Sequence, residues 1–302
     1  MASAQHTIVG LGELLWDMFP QGKQLGGAPA NFAYMTALLG DRGIVASRVG
    51  ADRLGQEAIW QLKSSGLDTD QIQADTKHLT GTVLVHVDAS GQPEYRIIED
   101  VAWDHLQWTP EWKTLAESAN AVCFGSLAQR SEDSRRTIQE FLKALRPGST
   151  CVFDVNLRQS FFTKEILCES ARQAVILKLN HEELPRFAEI LGFPPARDAA
   201  TARRLVSEFG IRLICITRGA RGSLLVTRTE EHEHPGFPVK VGDTVGAGDA
   251  FTAALVHHAL RGASLAVMNE GANRMGAWVA SQEGAMPAAD EAILVEVRDT
   301  QT

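Results

Sequence analysis

The chain has 302 residues, 44% hydrophobic and 22% charged, the composition of a globular protein long enough to bury a full core without disulfide or metal staples. Its formal net charge of −8 argues against a broad nucleic-acid surface, although backbone dipoles and a few arginines can still hold a small anion. No apolar run reaches the length of a membrane span, and the scattered Cys123, Cys151, Cys168 and Cys215 form no C-x-x-C pair, so they read as reduced thiols of a cytoplasmic protein.

The first segment, MASAQHTIVGLGELLWD, lacks the basic and apolar regions of a secretion signal and runs into a strand over 7–12. A helix is predicted over PANFAYMTALLG, residues 29–40, with Pro29 in its first turn and Gly40 at its end. A strand over 44–50 follows. Residues 82–99 then alternate Val83, Val85 and Val87 against Leu84, His86 and Asp88, and Gly91 and Pro93 mark a turn. This reads as an antiparallel hairpin with one apolar face, which it cannot bury alone. Short continuous apolar runs at 121–126, 150–155, 174–180 and 211–217 read as strands covered on both faces. Helices are predicted between them, at 131–145 and at 198–210 with Gly210 as its end, and two further helices rich in Ala and Gly at 247–262 and 264–281. The expected architecture is a single α/β domain over 1–302. It is a three-layer α/β/α sandwich on a mainly parallel sheet, with a small β lid inserted from about 13–25 and 80–103.

The most informative stretch is VGDTVGAGDAFTAALVHHAL, residues 241–260. A glycine-rich turn opens a helix there, so Gly246, Ala247 and Gly248 present bare N–H groups where the helix dipole is positive, and an anion can approach them closely. Asp249 sits within this pocket. As a carboxylate at a helix start it is either a cap or a base beside an anion hole, and the residues alone leave both open. Of two other nucleotide loops, the P-loop is absent and the dinucleotide loop is only weakly matched. There is no G-x-x-x-x-G-K-[ST], and the third position of a G-x-G-x-x-G beginning at Gly10 is Leu15. A second stretch, LGGAPANFAYMTALLG (25–40), places Gly26, Gly27 and Asn31 at a tight turn and a helix start. Asn31 could read vicinal hydroxyls with its donor and acceptor, or be an ordinary helix residue.

Together the two stretches resemble the two signatures of the ribokinase/PfkB carbohydrate kinase family. One runs from Gly26 and Gly27 through Asn31 and Ala33 to Gly40 and Gly50; the other is DTVGAGDAFTAALV, residues 243–256. With its landmarks the resemblance covers nearly the whole chain, and it implies a ribokinase-like fold and phosphoryl transfer from ATP with Mg²⁺. It makes Asp249 the general base and Gly246, Ala247 and Gly248 the anion hole. Asp17, with Gly27 and Asn31, would bind sugar hydroxyls. Asn180 and Glu183, in NHEE, match the N-x-x-E motif that positions phosphate and hydrated Mg²⁺. Thr217, Gly219 and Gly222 would lie near the nucleotide phosphates and ribose, and Asn273 near the adenine. Arg158, in FDVNLRQS, resembles an arginine of fructokinase-like and ketodeoxygluconate-kinase-like members and would reach the substrate or the transferring phosphate, beside Asp154 and Asn156 at the same strand end. Some members use a monovalent cation, for which Asp243 and the carbonyls of 280–285 are the counterparts here, making K⁺ an optional cofactor.

The segment GELLWDMFPQGKQLGGAPANFAYMTALLG and the VAWD after the hairpin look most like bacterial fructokinases. The implied reaction is therefore conversion of fructose to fructose 6-phosphate, with 2-keto-3-deoxygluconate or ribose as alternative acceptors. A nucleoside kinase would need an aromatic clamp that is not identifiable. A non-catalytic sugar- or nucleotide-sensing protein on the same fold is the alternative of a different class, and the intact Asp249 speaks against it. The partners implied are a small sugar and ATP, with neither nucleic acid nor membrane, and a second copy paired through the lid.

Three features are discounted. Glu231-His232-Glu233-His234 is expected to be an exposed loop rather than a metal site. His257 and His258, adjacent on a helix, do not face one ligand. Trp103, Trp108 and Trp112 are expected to pack, with Trp103 able to close over the sugar.

Overall fold

The computed structural model describes residues 5–87 and 93–300. The chain opens with β1 (Thr7–Leu11), β2 (Leu15–Phe19), β3 (Gly22–Gly26), α1 (Ala28–Leu38), β4 (Arg42–Gly50), α2 (Arg53–Ser64) and β5 (Ile72–Asp75). It continues through β6 (Gly81–Val87), β7 (Pro93–Ile97), α3 (Pro110–Ser118), β8 (Ala121–Phe124), α4 (Glu132–Lys143), β9 (Thr150–Asp154), α5 (Lys164–Gln173) and β10 (Ile176–Asn180). The last part holds α6 (Glu183–Leu191), α7 (Asp198–Phe209), β11 (Leu213–Thr217), β12 (Ser223–Val226), β13 (Glu231–His234), α8 (Ala247–Leu260), α9 (Leu265–Ala280) and α10 (Glu291–Arg298).

Nine strands form the main sheet in the order β13-β12-β11-β10-β9-β8-β1-β4-β5, parallel except where β12 pairs with β11 and β13. Alternation along the strands supplies two apolar faces. Ile8 and Val152 join Phe32, Met35, Leu62, Phe251, Leu255 and Met275 of α1, α2, α8 and α9 on one side. Val9, Leu11, Cys151 and Phe153 join Trp112, Phe141, Leu167, Phe187 and Leu205 of α3 to α7 on the other. This is the expected three-layer sandwich. The chain builds outward from β1 through β4 and β5, then returns to β8 on the opposite side of β1. A crevice therefore opens at the carboxyl ends of the strands, where open α/β sheets bind ligands.

The second sheet has four strands in the order β3-β2-β6-β7. Its register places Asp17 opposite Val83 and Val83 opposite Ile97, so these three share one face. Val83, Val85 and Ile97 are buried and Leu84, on the reverse face, is exposed, as the alternation requires. Trp16 anchors that reverse face, its Nε1 donating to Leu54 O of α2 at 3.0 Å. The lid strands span 15–26, 81–87 and 93–97; residues 98–103 lie beyond them and lead into a 3₁₀ turn at Ala102–His105. The turn expected at Gly91, with Asp88, lies outside the described residues.

Two local expectations are corrected. Residues 231–234 are not a loop but the edge strand β13, because their backbone pairs antiparallel with β12 from Ser223↔His234 to Val226↔Glu231. A polar alternating segment is suited to a sheet edge. Trp103 does not reach the crevice. It is fully buried, with the Arg130 guanidinium 4.0 Å from its ring centroid and Arg130 ion-paired to Asp104 at 2.8 Å. The packing expected of Trp103 and Trp112 holds. No described helix is long and apolar enough to cross a membrane.

Candidate active site

A cleft of about 810 Å³ runs between the lid and the carboxyl ends of the main-sheet strands. It is lined by Asp17, Gly27 and Asn31 from the first sixth of the chain, by Arg158, Asn180, Glu183 and Thr217 from its middle, and by Gly246, Gly248 and Asp249 near its end. Ten of the residues singled out in the sequence thus meet in one place.

Each is delivered by local geometry. Gly27 caps α1 at φ 113°, where an added Cβ would meet Glu13 O at 2.5 Å, so only glycine lets the loop after β1 cross beneath the helix start. Two residues into α1, Pro29 fits the first turn. One turn on, Asn31 Nδ2 donates to Asp249 Oδ2 at 2.8 Å, while Asn31 Oδ1 is buried without a partner. Gly246 caps α8 at φ 78° with no side chain satisfying the helix start. Ala247 N–H reaches Thr244 O at 3.3 Å and Ala250 N–H closes the first full turn on Gly246 O at 2.9 Å, while Gly248 and Asp249 N–H have no protein acceptor. Those two unsatisfied donors, at the positive end of a 14-residue helix, make an anion cradle.

The charges around it are concentrated. Lys178 Nζ donates to both carboxylate oxygens of Asp154, at 2.9 and 2.8 Å, and lies 3.3 Å from where a Cβ on Gly248 would stand. Burial works against its charge, but Asp154 and Glu183 hold the ammonium well above its ordinary pKa. Removal from water, with Asp154 nearby, pushes Asp249 up to about 6, against the opposing pull of Asn31, Lys178 and Arg158. Burial likewise pushes Asp17 up to about 6. Arg158 is flanked by two non-glycine residues in left-handed conformations, Asn156 (φ 43°) and Gln159 (φ 48°), and backbone strain of this kind is characteristic of functional loops. Gln159 Nε2 donates to Tyr95 O of β7 at 2.6 Å, tying this loop to the lid.

The N-x-x-E pair is internally organised. Glu183 accepts from Leu157 N and Asn180 N, both at 2.8 Å, and Asn180 Oδ1 accepts from Glu182 N and Glu183 N. Glu183 still lines the cleft, so its remaining lone pairs suit a hydrated cation rather than direct ligation.

Other residues expected at the site do not line this cleft. Ala247 belongs to the helix start but does not line the cavity. Gly219 and Gly222 bound the 3₁₀ turn between β11 and β12. Asn273 is buried in α9, where its Nδ2 donates to Ser223 Oγ at 2.7 Å and to Asn269 O at 2.7 Å, so it secures α9 to β12. Asp243 Oδ1 accepts from Val245 N at 3.0 Å, which shapes the loop before Gly246, and Ala280 O accepts from Gly242 N at 2.9 Å.

Sequence reasoning missed Glu13 and Lys178. Glu13 is 3% exposed, its Oε2 has no protein partner, and burial raises its carboxyl to about 7. An acid two residues past a buried strand was the available signal for Glu13, and a lysine within an apolar strand was the signal for Lys178. A larger hollow, about 910 Å³, lies between β13, α9 and α10. Its Glu270 is paired with His234 at 2.8 Å and with Arg274 at 2.7 Å, and none of the residues singled out by the two glycine-rich stretches lines it.

Comparison with known proteins shows the family. The model of the pfkB family of carbohydrate kinases matches residues 11–292. The chain is 31% identical over 297 residues to a sugar kinase of Pyrococcus horikoshii, covering 92% of this chain and 91% of that one. It is 30% identical over 260 residues to a fructokinase of Escherichia coli, covering 82% of each. The crystal structure of the Pyrococcus protein in complex with ATP superposes with a TM-score of 0.81 at 29% identity, over 97% of this chain and 99% of that one.

Proposed function

The chain belongs to the pfkB family of carbohydrate kinases, and from that premise we propose that it phosphorylates fructose at the 6-hydroxyl with ATP, using Asp249 as general base. The observation that carries this reading is the Asn31–Asp249 pair set against an unsatisfied helix start inside a lidded cleft. Similarity to the Escherichia coli fructokinase supports the sugar, and the ATP complex of the Pyrococcus relative supports the donor.

The chemistry follows from positions. Asp249 accepts the proton of the acceptor hydroxyl as its oxygen attacks the γ-phosphorus; the bond to the β-phosphate oxygen breaks and ADP leaves. Gly248 and Asp249 N–H groups, with Lys178 and Arg158, face the charge that builds on the transferring group. Glu183 and Asn180 would hold hydrated Mg²⁺, which when bound neutralises phosphate charge. Asp243 with the carbonyls of 280–285 would hold a monovalent ion, consistent with the loop geometry around Gly242. Asp17, the free Oδ1 of Asn31 and the unpartnered Glu13 Oε2 are acceptors for sugar hydroxyls. The three buried thiols suit a reducing cytoplasm, and the exposed Leu84 on the outer lid face suits a lid-to-lid dimer. The whole chain forms one domain with the lid inserted.

An ADP-release assay over a panel of sugars and nucleosides, with Mg²⁺ and with or without K⁺, tests the proposal. Fructose is expected to have the highest kcat/KM. Turnover confined to 2-keto-3-deoxygluconate or ribose would reassign the sugar, and none with any acceptor would leave a sensor.

Asp17→Ala is expected to weaken fructose binding at least about tenfold while leaving ATP binding within about twofold, since a lost hydrogen bond to a charged group costs about 1.5–3 kcal/mol. Calorimetry showing equal losses for both ligands would remove Asp17 from the sugar site.

The lid should respond to ligands, because phosphoryl transfer must exclude water. Amides of β6 and β7 are expected to exchange more slowly once fructose is bound, and more slowly still with a non-hydrolysable ATP analogue. Unchanged exchange would make the sheet a static element.

A further inference from the structure

A second cluster of ligating groups lies at the base of the lid, outside the cleft. His78 stands in the segment leading into β6, and Asp100 and His105 in the segment leaving β7. Among the described residues these three form the one group of histidines and acids whose ligand atoms converge to within 4.8 Å of one another. Both imidazoles present Nε2 to the same oxygen: His105 Nε2 is 2.9 Å and His78 Nε2 3.9 Å from Asp100 Oδ1. Their rings stack at 3.6 Å between centroids, 12° from parallel.

We propose that His78, His105 and Asp100 bind a divalent first-row transition ion of the zinc class, which clasps the two stems of the lid. The donor set is two imidazoles and a carboxylate, the composition of three-ligand zinc sites that leave a fourth position to water. Donor atoms around a tetrahedral ion with bonds of about 2.0–2.1 Å are roughly 3.3 Å apart, a value bracketed by the two separations to Asp100. Ligation would require the rings to leave their stack, one imidazole swinging out so that both Nε2 lone pairs meet at one point. The ion would displace the proton that His105 Nε2 shares with Asp100.

The surrounding shell is that of a metal site. His78 Nδ1 lies 2.9 Å from Asp75 Oδ2, and His105 Nδ1 lies 3.6 Å from Asp133 Oδ2. For His78 the carboxylate behind the ring accepts from Nδ1 and leaves Nε2 free to ligate, while Asp133 stands behind His105 beyond hydrogen-bond distance. Those outer carboxylates are neutralised in turn, Asp75 by Arg48 at 3.0 Å and Asp133 by Arg136 at 2.9 Å, which leaves Asp100 as the anion for the ion. Both histidine side chains are 26% exposed and Asp100 is 79% exposed, so an ion can enter from solvent. Bound there, it would tie residue 78 to residue 100 and close the lid hairpin at its hinge.

The test uses the full chain, freed of transition metals by chelation and kept in Mg²⁺ buffer. Calorimetric titration with Zn²⁺ should give one saturable equivalent with Kd below about 100 µM, and Co²⁺ should give the d–d absorption of a low-symmetry nitrogen–oxygen site. His78→Gln and His105→Gln should each weaken binding about tenfold or more, and Asp75→Asn, acting through His78, by about 10–100-fold. Zn²⁺ should raise the melting temperature of the native chain but not of the folded His78→Gln/His105→Gln double variant, whose secondary structure is checked by circular dichroism. Binding weaker than about 100 µM, or an equivalent that persists unchanged in the double variant, overturns the site.

Discussion

Asp249→Asn is expected to lower kcat by about 10²–10⁴ while ATP still binds, the range typical of a lost general base. The amide is nearly isosteric with the carboxyl but cannot take the hydroxyl proton. The loss should have a matching pH signature in the unaltered enzyme. Asp249 must be deprotonated to act, and its pKa lies at about 6, so kcat/KM should fall as pH drops below about 6 and level off above it. The Asn31 hydrogen bond favours the carboxylate, so Asn31→Ala should move that limb to higher pH as well as weakening sugar binding. Rates from the ADP-release assay between pH 5 and 8 check both points. An Asp249→Asn enzyme that keeps more than half its kcat, or a limb that Asn31→Ala leaves in place, would remove Asp249 from the chemistry.

Gly248→Val should cost about 10²–10³ in kcat with the fold intact, the usual loss when an oxyanion donor is removed. The choice of glycine matters. Gly248 has an ordinary helical backbone, and the nearest neighbour of an added Cβ is the end of the flexible Lys178 side chain at 3.3 Å. A side chain there meets a flexible side-chain end rather than backbone, so it can be accommodated while it obstructs the approach of an anion to the N–H groups and crowds Lys178. At Gly246 the same change would force a side chain onto φ 78° and bring its Cβ to 2.7 Å from Ala285, so lost activity there would report strain. Unimpaired turnover by folded Gly248→Val would place the phosphate elsewhere.

The parts of this site that were legible in the sequence are those where a local backbone requirement dictates residue type. Gly246 caps and Gly248 opens a helix whose start carries no side-chain cap, so the glycine spacing is visible locally, whereas Asn180 and Glu183, which hold one another across a single turn, were reached only through the family's N-x-x-E motif. The main strands were legible because two covered faces demand continuous apolar runs. Residues whose role depends on tertiary register were not. Glu13 looks like any acid after a strand until the loop beneath Gly27 buries it. Lys178 is explained only when β9 brings Asp154 alongside β10. Trp103 was expected to pack, as it does, and the further option of closing over the sugar stayed open because size does not say which side of the lid stem a ring occupies. The β13 edge strand was missed because its outward polarity is that of a loop, and only its pairing with β12 distinguishes the two.

The Asn31–Asp249 bond has a consequence for how the protein is made. Its two residues are 218 positions apart in the chain, and the sheet between them also depends on distant pairing, with β1 held between β4 and β8. Such contacts form late, because closing a long loop is entropically costly until the intervening structure is in place. A chain emerging from the ribosome can complete its first strands, helix and lid long before it synthesises Asp249. If Asp249 is the base, as proposed, the nascent molecule is inert: it has the half of the cleft proposed to bind the sugar but no base and no anion cradle, and it gains the capacity to consume ATP only when synthesis is nearly finished.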